Sequence, residues 1–203
     1  QSGTVGLSIF SPPFASLYTY SASDKDMGNC RDVDHFFEHF RYLIPELLRI
    51  TMPGRRCCVH CAPFGTTAAT HGVTGWHDLR GDIIREFSQR GWVYDGEIVI
   101  DKDPQAQAIR THSKGLLFVQ KTRDAAWLRP AMADYIIPFR CPGDNPEPVK
   151  SDVSNNEWIE FARPIWYGIR ETETLNAAEA REDRDERHIC PLQLETIRRC
   201  VRL

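Results

Sequence analysis

Ser11-Pro12-Pro13-Phe14 follows the apolar run Val5 to Phe10. Two consecutive prolines can neither continue a central strand nor enter a helix interior, so the chain must break there. The paired rings fix the backbone and preset the direction of the Pro12 carbonyl. Ser11 adds a hydroxyl able to accept a hydrogen bond, and Phe14 adds an aromatic face. Two acceptors beside a stacking face suit an amino group on a flat ring. They can hold both N–H bonds of an exocyclic amine and leave its nitrogen electron density aimed at an electrophile. Taken alone, the tetrapeptide is also an ordinary strand-terminating turn.

Other residue types invite chemistry and are weighed the same way. Cys57-Cys58-Val59-His60-Cys61 is rich in metal-binding groups. It lies in an apolar segment that reads as a strand, where alternate residues face opposite ways and would not converge on one ion. No second ligand pair with Cys-x-x-Cys or His-x-x-x-His spacing follows it. His35 and His39 stand four apart on a helical pattern with no third ligand evident, which points to surface placement. No metal site is assigned. The cysteine count of seven is odd, and 203 residues do not need a disulfide scaffold. Free thiols in a reducing cytoplasm are expected.

The chain carries 25 basic and 28 acidic residues, a formal charge of −3, which argues against coating nucleic acid through bulk attraction. The charge is uneven. Between Pro104 and Ala131, Arg110, Lys114, Lys121, Arg123 and Arg129 outweigh Asp124, whereas Glu171 to His188 is acidic. Solvated surface accounts for both, unless the basic stretch borders a site that holds an anionic polymer.

The elements that position these groups follow from pattern. Hydrophobic residues at 41% suit a globular domain of ordinary composition rather than a disordered chain. No apolar run approaches the ~18 residues of a membrane helix. Val5 to Phe10 reads as a strand. Asp32 to Ile50 is an amphipathic helix, ended by Pro53-Gly54 and set to kink at Pro45. Arg55 to Ala62 is a buried strand, and Asp78 to Arg90 a second helix stopped by Gly91. Trp92 to Ile100, Leu116 to Gln120 and Tyr135 to Arg140 read as further strands. Cys141 to Asn156 is a loop, Trp158 to Ile169 is ambiguous, and Glu171 to Arg187 is exposed helix or loop. Pro191 to Leu203 begins a helix with Leu194, Ile197 and Val201 on one face. Strands alternating with helices argue for an open α/β sheet, in which ligands sit beyond the carboxyl ends of the strands. Ser11 to Phe14 occupies that place.

Phe10-Ser11-Pro12-Pro13-Phe14 resembles the (Ser/Asp/Asn)-Pro-Pro-(Tyr/Phe/Trp) motif of DNA amino-methyltransferases. The longer string Phe10 to Asp32, with Tyr18, Tyr20 and Met27-Gly28-Asn29, looks like phage and bacterial members of that family. Ala133 to Arg140 resembles the strand after the family's target-side insertion. Trp166-Tyr167-Gly168-Ile169 followed by His188 to Leu194 resembles the segment leading into its cofactor-contacting helix. The three matches occur in order along nearly the whole chain. With the Pro-Pro motif N-terminal, that order is the permuted beta class. The resemblance therefore implies a Rossmann-like methyltransferase sheet with helices on both faces, in permuted order. Residues 1–203 would form the catalytic domain, with a DNA-contacting insertion at about 102–131. The glycine-rich Phe-x-Gly-x-Gly loop of this class follows the last helix. It does not occur in residues 1–203, and the protein is expected to continue past Leu203 by at least a strand, that loop and a helix.

What the resemblance implies is methyl transfer from S-adenosylmethionine to N4 of cytosine or N6 of adenine, on a base flipped out of double-stranded DNA. Phe14 would stack on the base, Ser11 and the Pro12 carbonyl would accept from its amino group, and Pro13 would hold the turn rigid. No general base is assigned. Ser11, Cys190, Leu192 and Gln193 would wall the cofactor, although Cys190 could equally cap a helix. Tyr18 and Tyr20 would line the base pocket or pack the core. Arg110, Lys114, Lys121, Arg123 and Arg129 would contact phosphates. Restriction-modification is the expected setting, with a homodimer or further domains of the same polypeptide compatible. The alternatives are a non-catalytic DNA-binding fragment or partner subunit, and methylation of RNA or of a protein glutamine.

Overall fold

In the computed structural model, residues 1–14, 20–111, 118–123, 131–175 and 191–203 are described, apart from the side chains of 70, 109–111, 120 and 121. Strand β1 (Val5–Phe10) lies parallel to β2 (Thr51–Cys61), with Phe10 opposite Val59. Helix α1 (Val33–Ile50) joins them. Its N-cap is Asp32, whose carboxylate accepts from the His35 N–H at 2.8 Å. The helix runs through Pro45 to Ile50, and β2 starts at the next residue. Pro53-Gly54 therefore does not end the helix. It sits inside β2, where the register against β1 slips between Val5 and Leu7. Gly54 has φ +72°, and a Cβ there would meet the Asn145 backbone nitrogen at 2.6 Å, so only glycine fits.

Beyond β2 come a short antiparallel pair, β3 (Phe64–Thr66) and β4 (Gly75–His77), flanking α2 (Ala68–His71). Helix α3 (Leu79–Gln89) is capped by Asp78, as its sequence suggests. The segment expected as one strand, Trp92 to Ile100, is two: β5 (Val93–Tyr94) and β6 (Ile98–Ile100), parted by Gly96 at φ +110°. Next are α4 (Pro104–Thr111) and α5 (Phe118–Arg123). The described part of the Leu116 to Gln120 segment is thus helix rather than strand, and Phe118 and Val119 are exposed. Phe118 and Val119 do not serve a sheet face, so local β preference had no packing to support it there.

Strand β7 (Asp134–Arg140) runs antiparallel between β2 and β6, and β5 also pairs with it. Helix α6 (Asn155–Phe161) begins at a Ser154–Glu157 capping box and resolves the ambiguous aromatic stretch together with β8 (Ile165–Trp166), which pairs parallel to β6. Helix α7 (Leu194–Arg202) closes the described chain. The sheet order is β1-β2-β7-β6-β8.

Strand alternation sends side chains to two cores. Cys57, Val59, Cys61, Ile137 and Phe139 pack with α1 and α3 through Phe36, Phe40, Ile83 and Phe87. The Phe87 and Phe139 rings stack at 4.3 Å. On the other face, Cys58, Ile136, Ile100 and Trp166 pack with Cys200 of α7. Helices thus cover both faces. The buried side of α7 is Thr196, Arg199 and Cys200, whereas Leu194 and Val201 are exposed. Of the expected apolar face only Ile197 is half-buried, and Arg199 lies on the buried side instead. Its guanidinium sits 5.5 Å from the Trp166 ring centroid and pairs with Glu195 at 2.7 Å.

Candidate functional site

The Ser11 to Phe14 turn leaves β1 at its carboxyl end, the position expected of a site in an open α/β sheet. Pro12 is buried, while Ser11, Pro13 and Phe14 are half-buried. Phe14 packs against the α1-side core and stands 6.1 Å, ring to ring, from His60.

Ser11 is the first member of a polar row that crosses four strands. Its Oγ is 3.1 Å from Nδ1 of His60, near the end of β2. Nε2 of the same ring is 3.1 Å from Oδ2 of Asp134, the first residue of β7. Nζ of Lys102, just past β6, is 2.7 Å from that carboxylate oxygen and 3.3 Å from Glu171. Ser11, His60, Asp134 and Lys102 align because each falls on the α7 face of its strand, at the same end of neighbouring strands. The row is largely shut from solvent, with side-chain exposures of 8% for His60, 14% for Asp134 and 3% for Lys102.

The charges settle the direction of these bonds. Burial alone would push the Asp134 carboxyl up. Hydrogen bonds and charge from His60 and Lys102 outweigh it and hold the group below the ordinary aspartate range. Asp134 is therefore a carboxylate that only accepts. In its neutral form His60 donates to that carboxylate from Nε2, which leaves Nδ1 as an acceptor. Ser11 consequently donates its proton to Nδ1, and the Oγ lone pairs remain for another donor.

Sequence reasoning did not pick His60, Asp134 or Lys102 for this role. His60 was considered only within its cysteine-rich run, and Asp134 only within a matching string. The alternation of four strands could have put them on one face, but only once the strand order was known.

Of the proposed cofactor residues, Leu192 is half-buried and Gln193 is 8% exposed at the N-cap of α7, bridged to Thr174. The Gln193 Oε1 and the Thr196 hydroxyl are buried without a hydrogen-bond partner among the described residues. Cys190 and Tyr18 lie outside the described residues, and Tyr20 is half-buried. Of the basic residues, Arg123 is exposed at the end of α5. Arg110 and Lys121 fall on α4 and α5 with side chains outside the description, as Lys114 and Arg129 are altogether. The six described cysteines are free thiols, as expected. No described helix is long and apolar enough to cross a membrane.

No family model matches the chain, and no curated protein does. Solved structures do. TTHA0409 of Thermus thermophilus, a candidate DNA modification methylase, aligns in its complex with S-adenosyl-L-methionine at TM-score 0.59 and 19% identity, over 81% of this chain and 59% of that one. A second structure of the same protein aligns at TM-score 0.58 and 19% identity, over 81% and 60%. The fold is the Rossmann-like α/β fold of methyltransferases. The chain spans about three-fifths of the length of the protein it matches.

Proposed function

We propose that this chain is the target-base part of an S-adenosylmethionine-dependent DNA amino-methyltransferase. The observation that carries the reading is the orientation of Ser11. The polar row consumes its proton and leaves its oxygen as an acceptor beside the Pro12 carbonyl and the Phe14 ring. That arrangement suits the amino group of a flipped cytosine or adenine, held through its N–H bonds with the ring against Phe14.

When bound, S-adenosylmethionine supplies an activated methyl group. The residues at the start of α7 suit such a ligand, because Gln193 offers a buried carbonyl oxygen with no partner among the described residues. Gln193 and Leu192, with Cys190 and Ser11, would form part of the cofactor wall. The amine that receives this methyl group, with S-adenosylhomocysteine as the leaving group, would be left with one proton too many. Ser11 Oγ accepts that proton while its own passes to Nδ1 of His60, and Asp134 stabilises the resulting imidazolium. His60 thus supplies the acceptor that the sequence left unassigned. Arg110, Lys114, Lys121, Arg123 and Arg129 would steady the duplex through phosphates. Cytosine and adenine would present the same kind of amino group to this row, so the choice between N4-cytosine and N6-adenine would rest with surfaces outside it.

Incubation of the intact protein with labelled S-adenosylmethionine and DNA, followed by mass spectrometry of digested nucleosides, tests the proposal. N4-methylcytosine or N6-methyladenine is expected, and it should be absent in Ser11→Ala. Label in RNA or protein, with none in DNA, would overturn it. Failure of the intact protein to bind S-adenosylmethionine would favour a non-catalytic DNA-binding subunit.

A further inference from the structure

Away from the polar row, the segment that follows the Ser11 to Phe14 turn meets the first turns of α1. His35 and His39 stand four apart on that helix, with their Nε2 atoms 3.0 Å from each other and their rings edge to face at 4.7 Å. Cys30 ends the 3-10 turn Met27–Asn29 just before the helix and is buried at 5% exposure. One ligand atom from each of the three lies within 4.8 Å of those of the other two. They border a cleft of about 340 Å³ that Asp24 and Asp26 also line.

We propose that Cys30, His35 and His39 bind a zinc-class divalent cation. A tetrahedral zinc with bonds of about 2.0–2.3 Å needs its nitrogen and sulfur ligands roughly 3.3–3.6 Å apart. The two imidazoles already approach more closely than that, and the Cys30 sulfur lies within 4.8 Å of both. One thiolate with two imidazoles selects zinc over magnesium or calcium, which take oxygen ligands. Water fills the fourth position from the cleft.

The surroundings favour a cation. The carboxylates of Asp26, Asp32 and Glu38 act on Cys30 through their charge, and that negative field attracts a metal. The metal does not recruit Asp26, whose oxygens already accept from the backbone N–H groups of Tyr20, Ser21 and Gly28. His35 gives up one exposed bond, in which its Nδ1 accepts from the Arg31 N–H at 3.2 Å, because ligation through Nε2 moves the ring proton to Nδ1. The gain is a cross-brace. Asp26 gathers the 20–28 loop into a unit, and the cation ties the end of that unit to α1.

Titration of the intact, metal-free protein with Zn²⁺, and with Co²⁺ as a spectroscopic probe, tests the site. One equivalent of Zn²⁺ should bind and raise the unfolding temperature. Co²⁺ should show tetrahedral visible bands and a thiolate charge-transfer band. Cys30→Ser and His39→Ala should each weaken binding more than about 100-fold and abolish the charge-transfer band. His39 is exposed, so its replacement does not threaten the core. Retention of the band in either variant, or no stoichiometric binding by the wild-type protein, overturns the proposal. Methyl transfer is not a readout here, so the outcome is independent of the function proposed above.

Discussion

A serine hydroxyl has one proton to give and two lone pairs to receive with, and the Ser11 hydroxyl is committed by His60. A neutral ring that donates to ionised Asp134 accepts from Ser11. His60→Ala should therefore lower methyl transfer about 100-fold with little change in S-adenosylmethionine affinity, measured as a kcat against KM split. Ser11→Asp supplies a carboxylate that accepts without help, so the double variant Ser11→Asp/His60→Ala should recover activity that His60→Ala loses. For Phe14, replacement by Tyr or Trp should preserve base binding and replacement by Ala should weaken it by about 1–3 kcal/mol. Fluorescence of a duplex carrying 2-aminopurine at the target position reports that loss.

Helix α7 owes its seat to ions as much as to apolar burial. Arg199, 6% exposed, pairs with Glu195, reaches the Tyr167 carbonyl at 3.4 Å and lies over Trp166. Glu195 binds Arg198 first and Arg199 second, and together they pull its carboxyl down to about 2 from 4.5. A carboxyl with a depressed folded-state value stabilises the protein fully above about pH 4.5. That contribution drains away as pH falls from 4.5 towards 2. Glu195→Gln should cost about 1–2 kcal/mol at neutral pH once solvent screening is allowed for, and should flatten the stability loss across that window. Urea unfolding at pH 7, 4 and 3 measures both. Helix α1 rests instead on its aromatic face. Phe40 is fully buried against Phe36, Phe87 and Phe10, and Phe40→Ala should cost roughly 3–5 kcal/mol in the same assay.

On the scale of the molecule, the polar row and the turn open at one end of the sheet, and α4 and α5 follow directly from Lys102 in that row. Under the proposed function, the basic residues of the 102–131 segment hold a duplex whose base enters beside Ser11. Replacing Arg110, Lys114, Lys121, Arg123 and Arg129 together by Ala should reduce the slope of log K against log salt by about 4–5 if all five meet phosphates. An unchanged slope in filter-binding or fluorescence titration would place the duplex elsewhere.

Much of this molecule was legible locally. The Pro-Pro break after Val5 to Phe10, the Asp32 and Asp78 caps, and the periodic apolar faces of α1 and α3 each depend on neighbours within a turn or two. Where the local signal had no tertiary support it misled. Gly96 split a strand, the Phe118 segment took helix, and the buried side of α7 went to Thr196, Arg199 and Cys200 while Leu194 and Val201 faced out. Only the tertiary structure made His60 the partner of Ser11 and Asp134, residues 49 and 74 positions away from it, and only it brought Cys30 to the two histidines of α1. Alternation along a strand fixes which face a side chain takes. Which side chains meet depends on strand order and on how a loop folds back, and those follow from packing across the whole chain.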